Sequence, residues 1–439
     1  MTGSATPEPR LRRSVAATVV GNFVEYFDWL AYGLFAPLFA AQFFPAADPV
    51  TSLLGAFAVF AAGMLFRPLG GVLFGRLADR RGRRPALLLS IALMAAGSTL
   101  IGIAPTYEQI GVFAALLLLL ARAAQGLSSG GEWPAAVTYL MEMAAENRKC
   151  FYGGLFSMTA SAGAFLAALL GGGLSDLLGP AAMTEWGWRV PFLLGGVFGV
   201  VLLLARNRLA ETAVFEREVR PRPARGSFRK VLVEYRRQVL LVVLFVAGLT
   251  TVIGTWSTVV PAIGHRIAPP GTMFWAVVVV NLISMATMPF LGRLADRVGE
   301  RRFLTAVTLV FLVAGPFAYL GMTPDLAVLT AAYGSGVLYM GCVTAVMPKM
   351  LAAVFPPEVR GLGIGLPHGL TTAILGGLTP SVATYLDGRG LSGWYIAGVM
   401  ATVLLGWLAA VVAVRRPAAA PPGSSAPAPR RREPAGLAG

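Results

Sequence analysis

Two carboxyl side chains lie inside a long apolar stretch near the start of the chain. Glu25 and Asp28 are three positions apart, so a helix places them on one face with Asn22 and Tyr32. Asn22 and Tyr32, together with Gln125, are candidate substrate-binding residues. An ionisable group inside a membrane must face protein or a water-filled cavity. Removal from water favours the protonated carboxyl, so either group could exchange a proton near neutral pH. A static ion pair with an arginine is the alternative interpretation.

Arg67 lies nine positions before Arg76, well inside an apolar stretch. Its guanidinium keeps its charge at all pH values of interest, so it needs an anionic partner. That partner is predicted to be Glu25, Asp28 or a carboxylate of the substrate. A substrate that displaced an internal carboxylate would couple binding to protonation. Purely structural pairing remains open.

Arg122 and Gln125 form a second polar group within an apolar stretch. Arg122 could stabilise the ionised form of a nearby carboxylate when it is close, and release it when the halves move apart. Glu132, further along, is a third candidate for proton coupling. An arginine–carboxylate brace between helices is the structural alternative.

The second half of the chain has no comparable set of buried charges. Hydrogen-bonding and aromatic groups there could complete a substrate site. The candidates are Trp256, Asn281, Tyr339, His368 and Thr372, with Thr371 and Tyr385 as further possibilities. Each of them could equally be a packed core residue.

The composition requires a membrane protein with many spans. Charged residues make up 13% of the chain and hydrophobic residues 56%, against about 25% charged residues in soluble domains. Many uncharged stretches reach the roughly 20 residues that a spanning helix needs. We predict twelve spans, at residues 15–43, 52–76, 85–105, 109–142, 150–176, 188–206, 237–263, 270–292, 303–323, 325–349, 360–386 and 390–414. The fourth is too long for a bilayer, and part of it should lie in the interface or an external loop.

The distribution of basic residues predicts the orientation. Of 36 Lys and Arg, only Arg189, Arg266 and Arg389 fall in odd-numbered loops, and only Arg67 and Arg122 lie within spans. This positive-inside pattern places both termini in the cytoplasm. The net charge of +15 therefore reflects topology, and nucleic acid is not expected as a partner. The two cysteines do not predict a disulfide or a metal site.

A repeated basic motif divides the chain into two similar halves. Gly75–Arg84 and Gly292–Arg301 match at Gly, Arg, Leu, Ala and Asp, and each separates two apolar stretches. We predict two six-helix bundles in the same orientation, at 1–206 and 237–414, joined by a basic cytoplasmic linker at 207–236. The tail at 415–439 is rich in Pro, Ala, Gly and Arg and is predicted to be disordered.

Several segments of the chain together form a recognisable set of motifs. They are Gly21–Asp28, Arg67–Gly71, Arg122–Gly126, Ser129–Trp133 and the Glu-Thr-x-x-Phe run at 211–215. With these motifs the chain resembles the major facilitator superfamily over nearly its full length, and more narrowly its metabolite:proton symporter branch, which includes carriers of shikimate, 2-oxoglutarate, citrate and proline or betaine. Tyr26, where the branch usually has Trp, and Glu300, in the second basic motif, depart from the pattern.

The resemblance implies roles for the loop motif and for the Arg-x-x-Gln-Gly pattern. It associates Arg122 and Gln125 with proton transfer. It also implies a gate at the cytoplasmic side, where Asp79 would pair with arginines and with a helix N-terminus of the other half. The gating candidates are Asp79, Arg83, Glu142, Arg148 and Asp296.

The expected fold is therefore an all-α polytopic membrane protein with twelve transmembrane helices and the major facilitator fold. The expected function is proton-coupled uptake of a small organic acid by alternating access, in a bacterial plasma membrane. Uptake of a zwitterionic osmolyte and proton-driven efflux remain alternatives within transport. The chain has no Gly-x-x-x-x-Gly-Lys-Ser/Thr loop for nucleotide and no clustered catalytic set, so we predict no enzyme activity and no cofactor. Expected partners are the solute, protons and lipids, and the expected functional unit is a monomer.

Overall fold

The computed structural model describes residues 8–81, 83–130, 144–207, 228–355 and 360–415. The predictions for Glu132, Glu142 and residues 416–439 lie outside these ranges. The backbone at Asp79 and Arg83 is helical, but their side chains also lie outside what is described.

Within those ranges the chain is built from helices. In chain order they are α1 Glu8–Phe43, α2 Pro49–Leu65, α3 Arg67–Arg81, α4 Arg83–Ile103, α5 Tyr107–Ile110, α6 Val112–Ser129, α7 Lys149–Ala182, α8 Arg189–Asn207, α9 Phe228–Glu234, α10 Arg236–Gly254, α11 Val260–Ile267, α12 Thr272–Val298, α13 Glu300–Leu320, α14 Leu326–Val354, α15 Arg360–Thr371, α16 Gly377–Asp387 and α17 Ser392–Arg415. Short π-helical segments at Met183–Gly187, Thr255–Val259 and Thr372–Gly376 follow α7, α10 and α15.

The described helices are consistent with the twelve predicted spans. In the described part of the chain, eight helices are long and apolar enough to cross a membrane, and Leu88–Ile103 and Arg189–Leu204 are shorter apolar helices. The remaining two predicted spans coincide with α1 and with the α15–α16 segment. Large apolar side chains such as Phe317 (77% exposed) point outward, as lipid contact requires. Within the overlong fourth prediction, Gly111 at φ 61° separates α5 from α6, which ends at Ser129, and residues 131–142 lie outside the described ranges.

A break between α2 and α3 positions Arg67. Pro68 has no backbone N–H, so the regular hydrogen-bond ladder is interrupted there, and Phe66 donates to the Gly63 carbonyl at 3.2 Å. Gly126 of α6 in turn lets α2 approach closely, since a Cβ at Gly126 would lie 1.9 Å from the Gly63 carbonyl oxygen. Small residues thus bring Arg122 of α6 beside α1 and α2.

The two halves pack against each other along several helix pairs. The most extensive pairing joins α7 of the first half to α12 of the second, and further pairs are α2 with α16, α1 with α11 and α3 with α15. Close backbone approach is again allowed by glycine, since a Cβ at Gly153 would lie 2.1 Å from the Ala345 carbonyl oxygen. Between these helix pairs a central cavity remains, lined by side chains of both halves.

Candidate functional site

A cavity lies between the two halves. The first half contributes polar and aromatic side chains from α1 to α3. The second half contributes mainly apolar and hydroxyl side chains from α10, α14 and the α15 region. The lining residues are Glu25, Tyr26, Trp29, Met64, Arg67, Val246, Leu249, Thr250, Ile253, Thr344, Met347, His368, Thr372 and Gly376.

An ion pair joins α1 to α3 at the wall of this cavity. The Arg67 Nη2 atom lies 2.8 Å from Glu25 Oε1, and the two side chains are 20% and 8% exposed. Removing one partner of a buried pair costs about 3–5 kcal/mol because it leaves the other charge uncompensated. The pair therefore stabilises both charges at the cavity wall.

A hydrogen-bonded chain leads from Arg122 to Asp28, two residues that line an adjoining pocket. The Arg122 guanidinium donates to Gln125 Oε1 at 2.7 Å, and Gln125 Nε2 donates to Ser98 Oγ at 3.0 Å. Ser98 Oγ then donates to the Asp28 carboxylate. The network connects α6, α4 and α1 and is almost fully buried. It brings together a permanent cation and a carboxylate through two neutral side chains.

Aromatic rings complete the environment of Arg122. Its guanidinium carbon lies 4.4 Å from the Tyr32 ring centroid and 5.1 Å from that of Phe60. Such cation–π contacts contribute about 0.5–2 kcal/mol each, more when they are removed from water. Tyr32 itself donates its hydroxyl to the Ala56 carbonyl at 2.9 Å. It therefore supports the arginine and does not line either cavity.

Glu25, Arg67 and Trp29 belong to both cavities, so the two spaces are continuous in their lining. Of the sequence candidates, the structure brings together Glu25, Asp28, Arg67, Arg122 and Gln125 in the first half, and His368 and Thr372 face the same central cavity.

Other predicted substrate residues are held elsewhere in the fold. Asn22 donates to Thr159 Oγ1 at 2.5 Å, between α1 and α7. In the second half, Trp256 donates its indole N–H to the Ala332 carbonyl at 2.9 Å, and Asn281 donates to the Val277 carbonyl at 2.9 Å. The Tyr339 ring stacks on the Phe311 ring with 4.1 Å between the ring centroids. None of these side chains lines the two cavities.

Asp296 connects the halves at the ends of α12 and α7. Its carboxylate accepts the backbone N–H groups of Cys150 at 3.0 Å and Phe151 at 2.9 Å. These N–H groups belong to the first turn of α7, where no carbonyl of the same helix can accept them. Close by, Lys349 pairs with Glu300 at 2.9 Å. Arg148, just before α7, is exposed.

The sequence reasoning missed two polar groups of the site. Ser98 closes the link between Gln125 and Asp28, and Trp29 lines both cavities. A hydroxyl inside an uncharged span was the available signal for Ser98, but several spans contain serines. Trp29 adjoins Asp28, although adjacent helical positions normally face different directions. Among the described residues, no group of three His, Cys, Asp or Glu could hold a metal ion.

Comparison with known proteins identifies the family. The model of the Major Facilitator Superfamily matches residues 18–366 and, in a second match, residues 257–439. The chain belongs to the Major Facilitator Superfamily. Among solved structures of that fold, a D-xylose-proton symporter superposes with a TM-score of 0.70 over 92% of this chain and 97% of its own, at 13% identity. That likeness concerns the fold alone.

Curated relatives within the superfamily are more similar in sequence. An alpha-ketoglutarate permease of Escherichia coli is 38% identical over 87% of this chain and 89% of its own length. A citrate-proton symporter of Klebsiella pneumoniae is 33% identical over 88% and 89%, and a proline/betaine transporter of Escherichia coli is 30% identical over 86% and 78%. These matches confirm the family resemblance read from the motifs.

Proposed function

We propose that this protein is a secondary active transporter that takes up a small organic acid together with protons by alternating access. Its family makes it a multi-pass membrane transporter and not an enzyme. The observation that carries the coupling proposal is the ion pair between Arg67 and Glu25 at the wall of a cavity shared by both halves.

In the proposed cycle, a substrate carboxylate replaces Glu25 as the partner of Arg67. Glu25 then loses its compensating charge inside the protein, and proton uptake neutralises it. Binding of the anion and binding of the proton therefore favour each other. The inward-negative membrane potential contributes about 2.3 kcal/mol per 100 mV for each net positive charge carried inward.

The second polar network supports a proton route next to this pair. Asp28 is linked through Ser98 and Gln125 to Arg122. Separation of α1 from α6 would break this chain of hydrogen bonds and leave Asp28 without the nearby cation, so that it would bind a proton. We therefore assign proton coupling to Glu25, Asp28 and Arg122.

The carboxylate of Asp296 is proposed as a latch of the cytoplasmic gate. It binds the first turn of α7 across the two halves, and these bonds must break if the halves separate at that end. The proposal also places both termini and the linker at 207–236 on the cytoplasmic side of the plasma membrane. The six-helix bundles are residues 1–206 and 237–414. Their outer faces contact lipid, and the functional unit is a monomer.

A second candidate is proton-coupled uptake of a zwitterion, because a proline/betaine transporter is among the relatives. A zwitterion could contact Arg67 with its carboxylate and Glu25 with its cationic group at once. Such a solute would keep Glu25 ionised, and the coupling proton would then have to bind at Asp28.

Uptake into proteoliposomes tests the proposal. We expect labelled organic acids to accumulate when the lumen is alkaline, and accumulation to fall at least tenfold in Glu25→Gln or Asp28→Asn while gradient-free exchange of solute continues. Glu108→Gln is the matched control, because Glu108 is exposed in the short helix α5. Accumulation that persists in both cavity variants would contradict coupling through these groups. Accumulation of betaine but of no acid would favour the zwitterion, and solute loss driven by the gradient would favour efflux.

A further inference from the structure

We infer that the solute carries a single carboxylate on a compact, partly apolar body, and is neither a dicarboxylate nor a tricarboxylate. The inference rests on the proposed function, because it names the substrate class of the same cavity. Three features of the lining support it.

The first feature is the balance of charge. Among the described residues that line the central cavity, the formal charges are one Arg and one Glu, Arg67 and Glu25. The imidazole of His368 is ordinarily neutral above about pH 6.5. One cation can compensate one carboxylate once Glu25 is protonated. The other nearby cation, Arg122 of the adjoining pocket, is matched by Asp28, to which Gln125 and Ser98 link it. A second carboxylate on the solute would therefore find no positive charge left to compensate it.

The second feature is a pair of hydrogen-bond donors that have no acceptor. Trp29 Nε1 and Thr372 Oγ1 are buried and have no hydrogen-bond partner among the described residues. Buried N–H and O–H groups in proteins are nearly always paired, so the cavity is short of acceptors. Both residues line it, Trp29 from the first half and Thr372 from the second. The oxygens of one carboxylate held by Arg67 could accept from these donors and so connect the two halves.

The third feature is the composition of the opposite wall. Val246, Leu249, Ile253 and Met347 line the cavity from the second half. Contact with hydrocarbon is favourable for these side chains, whereas a second carboxylate placed against them would lose its hydration without a partner. Thr250 and Thr344, also in the lining, can accommodate a hydroxyl or carbonyl group on the body. A cyclic or branched acid with one carboxylate can pair with Arg67 on one side of the cavity and contact the apolar side chains on the other.

Matched acids test this assignment on the full chain, purified in detergent at pH 7.5. Cyclohexanecarboxylate is compared with cyclohexane-1,2-dicarboxylate, and butyrate with succinate, so that each pair shares a carbon skeleton of similar size. Citrate and betaine complete the panel. Thermal stabilisation and quenching of tryptophan fluorescence report binding without any need for transport. We expect each monocarboxylate to bind at least tenfold more tightly than its dicarboxylate partner, and more tightly than citrate or betaine.

Variants make the charge argument specific. Thr344→Lys adds a second cation to the cavity and should reduce the preference for the monocarboxylate at least tenfold. Thr323→Lys adds the same charge at an exposed position outside both cavities and should leave the preference unchanged. Trp29→Phe keeps the ring, removes the N–H donor and should weaken carboxylate binding about tenfold.

The outcomes separate this inference from the proposed function. Equal or tighter binding of dicarboxylates, citrate or betaine by the parent protein overturns the assignment, as does the absence of binding by every acid. The proposed function fails by a different result, namely that no solute accumulates in proteoliposomes under a proton gradient. Acid uptake that prefers dicarboxylates would contradict the assignment of a monocarboxylate solute and would still agree with proton-coupled transport.

Discussion

Substitution of Asp296 by Asn tests whether the contact between α12 and α7 acts as a latch. The carboxylate accepts two backbone N–H groups, from Cys150 and Phe151. It also places a negative charge at the positive end of α7. An Asn side chain is neutral and has a single acceptor oxygen, so it can keep only one of these bonds. The variant loses one charge-assisted hydrogen bond and weakens the other.

The size of the effect follows from the bonds lost. A hydrogen bond to a charged group contributes about 1.5–3 kcal/mol. The loss is specific to the arrangement in which the halves are in contact at this end, because Asp296 and α7 belong to different halves. Asp296→Asn should therefore raise the population of the arrangement open at this end by roughly 10- to 100-fold, since about 1.4 kcal/mol corresponds to a factor of ten.

Cys150 provides a built-in reporter of this opening. It is fully buried beside Asp296, and the only other cysteine of the chain, Cys342, can be replaced by Ala to leave one thiol. Maleimide can reach Cys150 only after the halves separate there. In proteoliposomes, Asp296→Asn should accelerate labelling of Cys150 by the same factor of roughly 10 to 100.

Asp325 supplies a matched control. Its carboxylate also accepts two backbone N–H groups at a helix start, from Ala327 at 2.8 Å and Val328 at 3.1 Å, but these belong to its own half. Asp325→Asn should leave the labelling rate of Cys150 unchanged. Equal labelling of Asp296→Asn and the parent, in a protein that still folds, would refute the latch, and so would equal acceleration by Asp325→Asn.

Three further predictions concern packing, the proton network and a surface ion pair. Gly126→Ala should lower stability by about 1–3 kcal/mol through overpacking, because its Cβ would lie 1.9 Å from a backbone oxygen, while Gly393→Ala, with no atom within 4 Å, should not lower the melting temperature. Ser98→Ala should reduce proton-driven accumulation at least tenfold and leave solute affinity within twofold, since it removes the link between Asp28 and Gln125 without lining either cavity; unchanged accumulation would argue against the network. Breaking the Arg266–Asp387 pair with Arg266→Gln should change the free energy of unfolding by less than about 1 kcal/mol, since the Arg266 side chain is 49% exposed and such pairs contribute little; a larger loss of melting temperature would assign this pair a structural role.

The secondary structure could be predicted because it depends on local rules. Inside a membrane there is no water to bind backbone N–H and C=O groups, so these groups must form hydrogen bonds within a helix. Long runs of apolar residues therefore predict helices. In the described part of the chain, the helices are consistent with the twelve predicted spans. What those rules could not predict were the interruptions, such as the break at Phe66 and Arg67 and the π-helical segments, because these depend on neighbouring helices as well as on local sequence.

The first-half site was partly predictable because charge inside a membrane is expensive. Glu25, Asp28, Arg67 and Arg122 stand out in apolar stretches, and all four line the two cavities. Neutral groups carry no such signal. His368 and Thr372 reach the cavity, but Trp256 is packed in the second half, and all three look equally plausible in the sequence.

The amino-acid sequence by itself determined the helices, the duplication into two halves and the membrane environment, because apolar runs, repeated motifs and the cost of burying charge act along the chain. Only the tertiary structure decided which partner each charge has. Arg67 lies against Glu25, Arg122 reaches Asp28 through Gln125 and Ser98, and Asp296 reaches the start of α7. These pairings depend on which helices are neighbours and on how closely small residues let them approach, which are properties of packing between residues far apart in the chain.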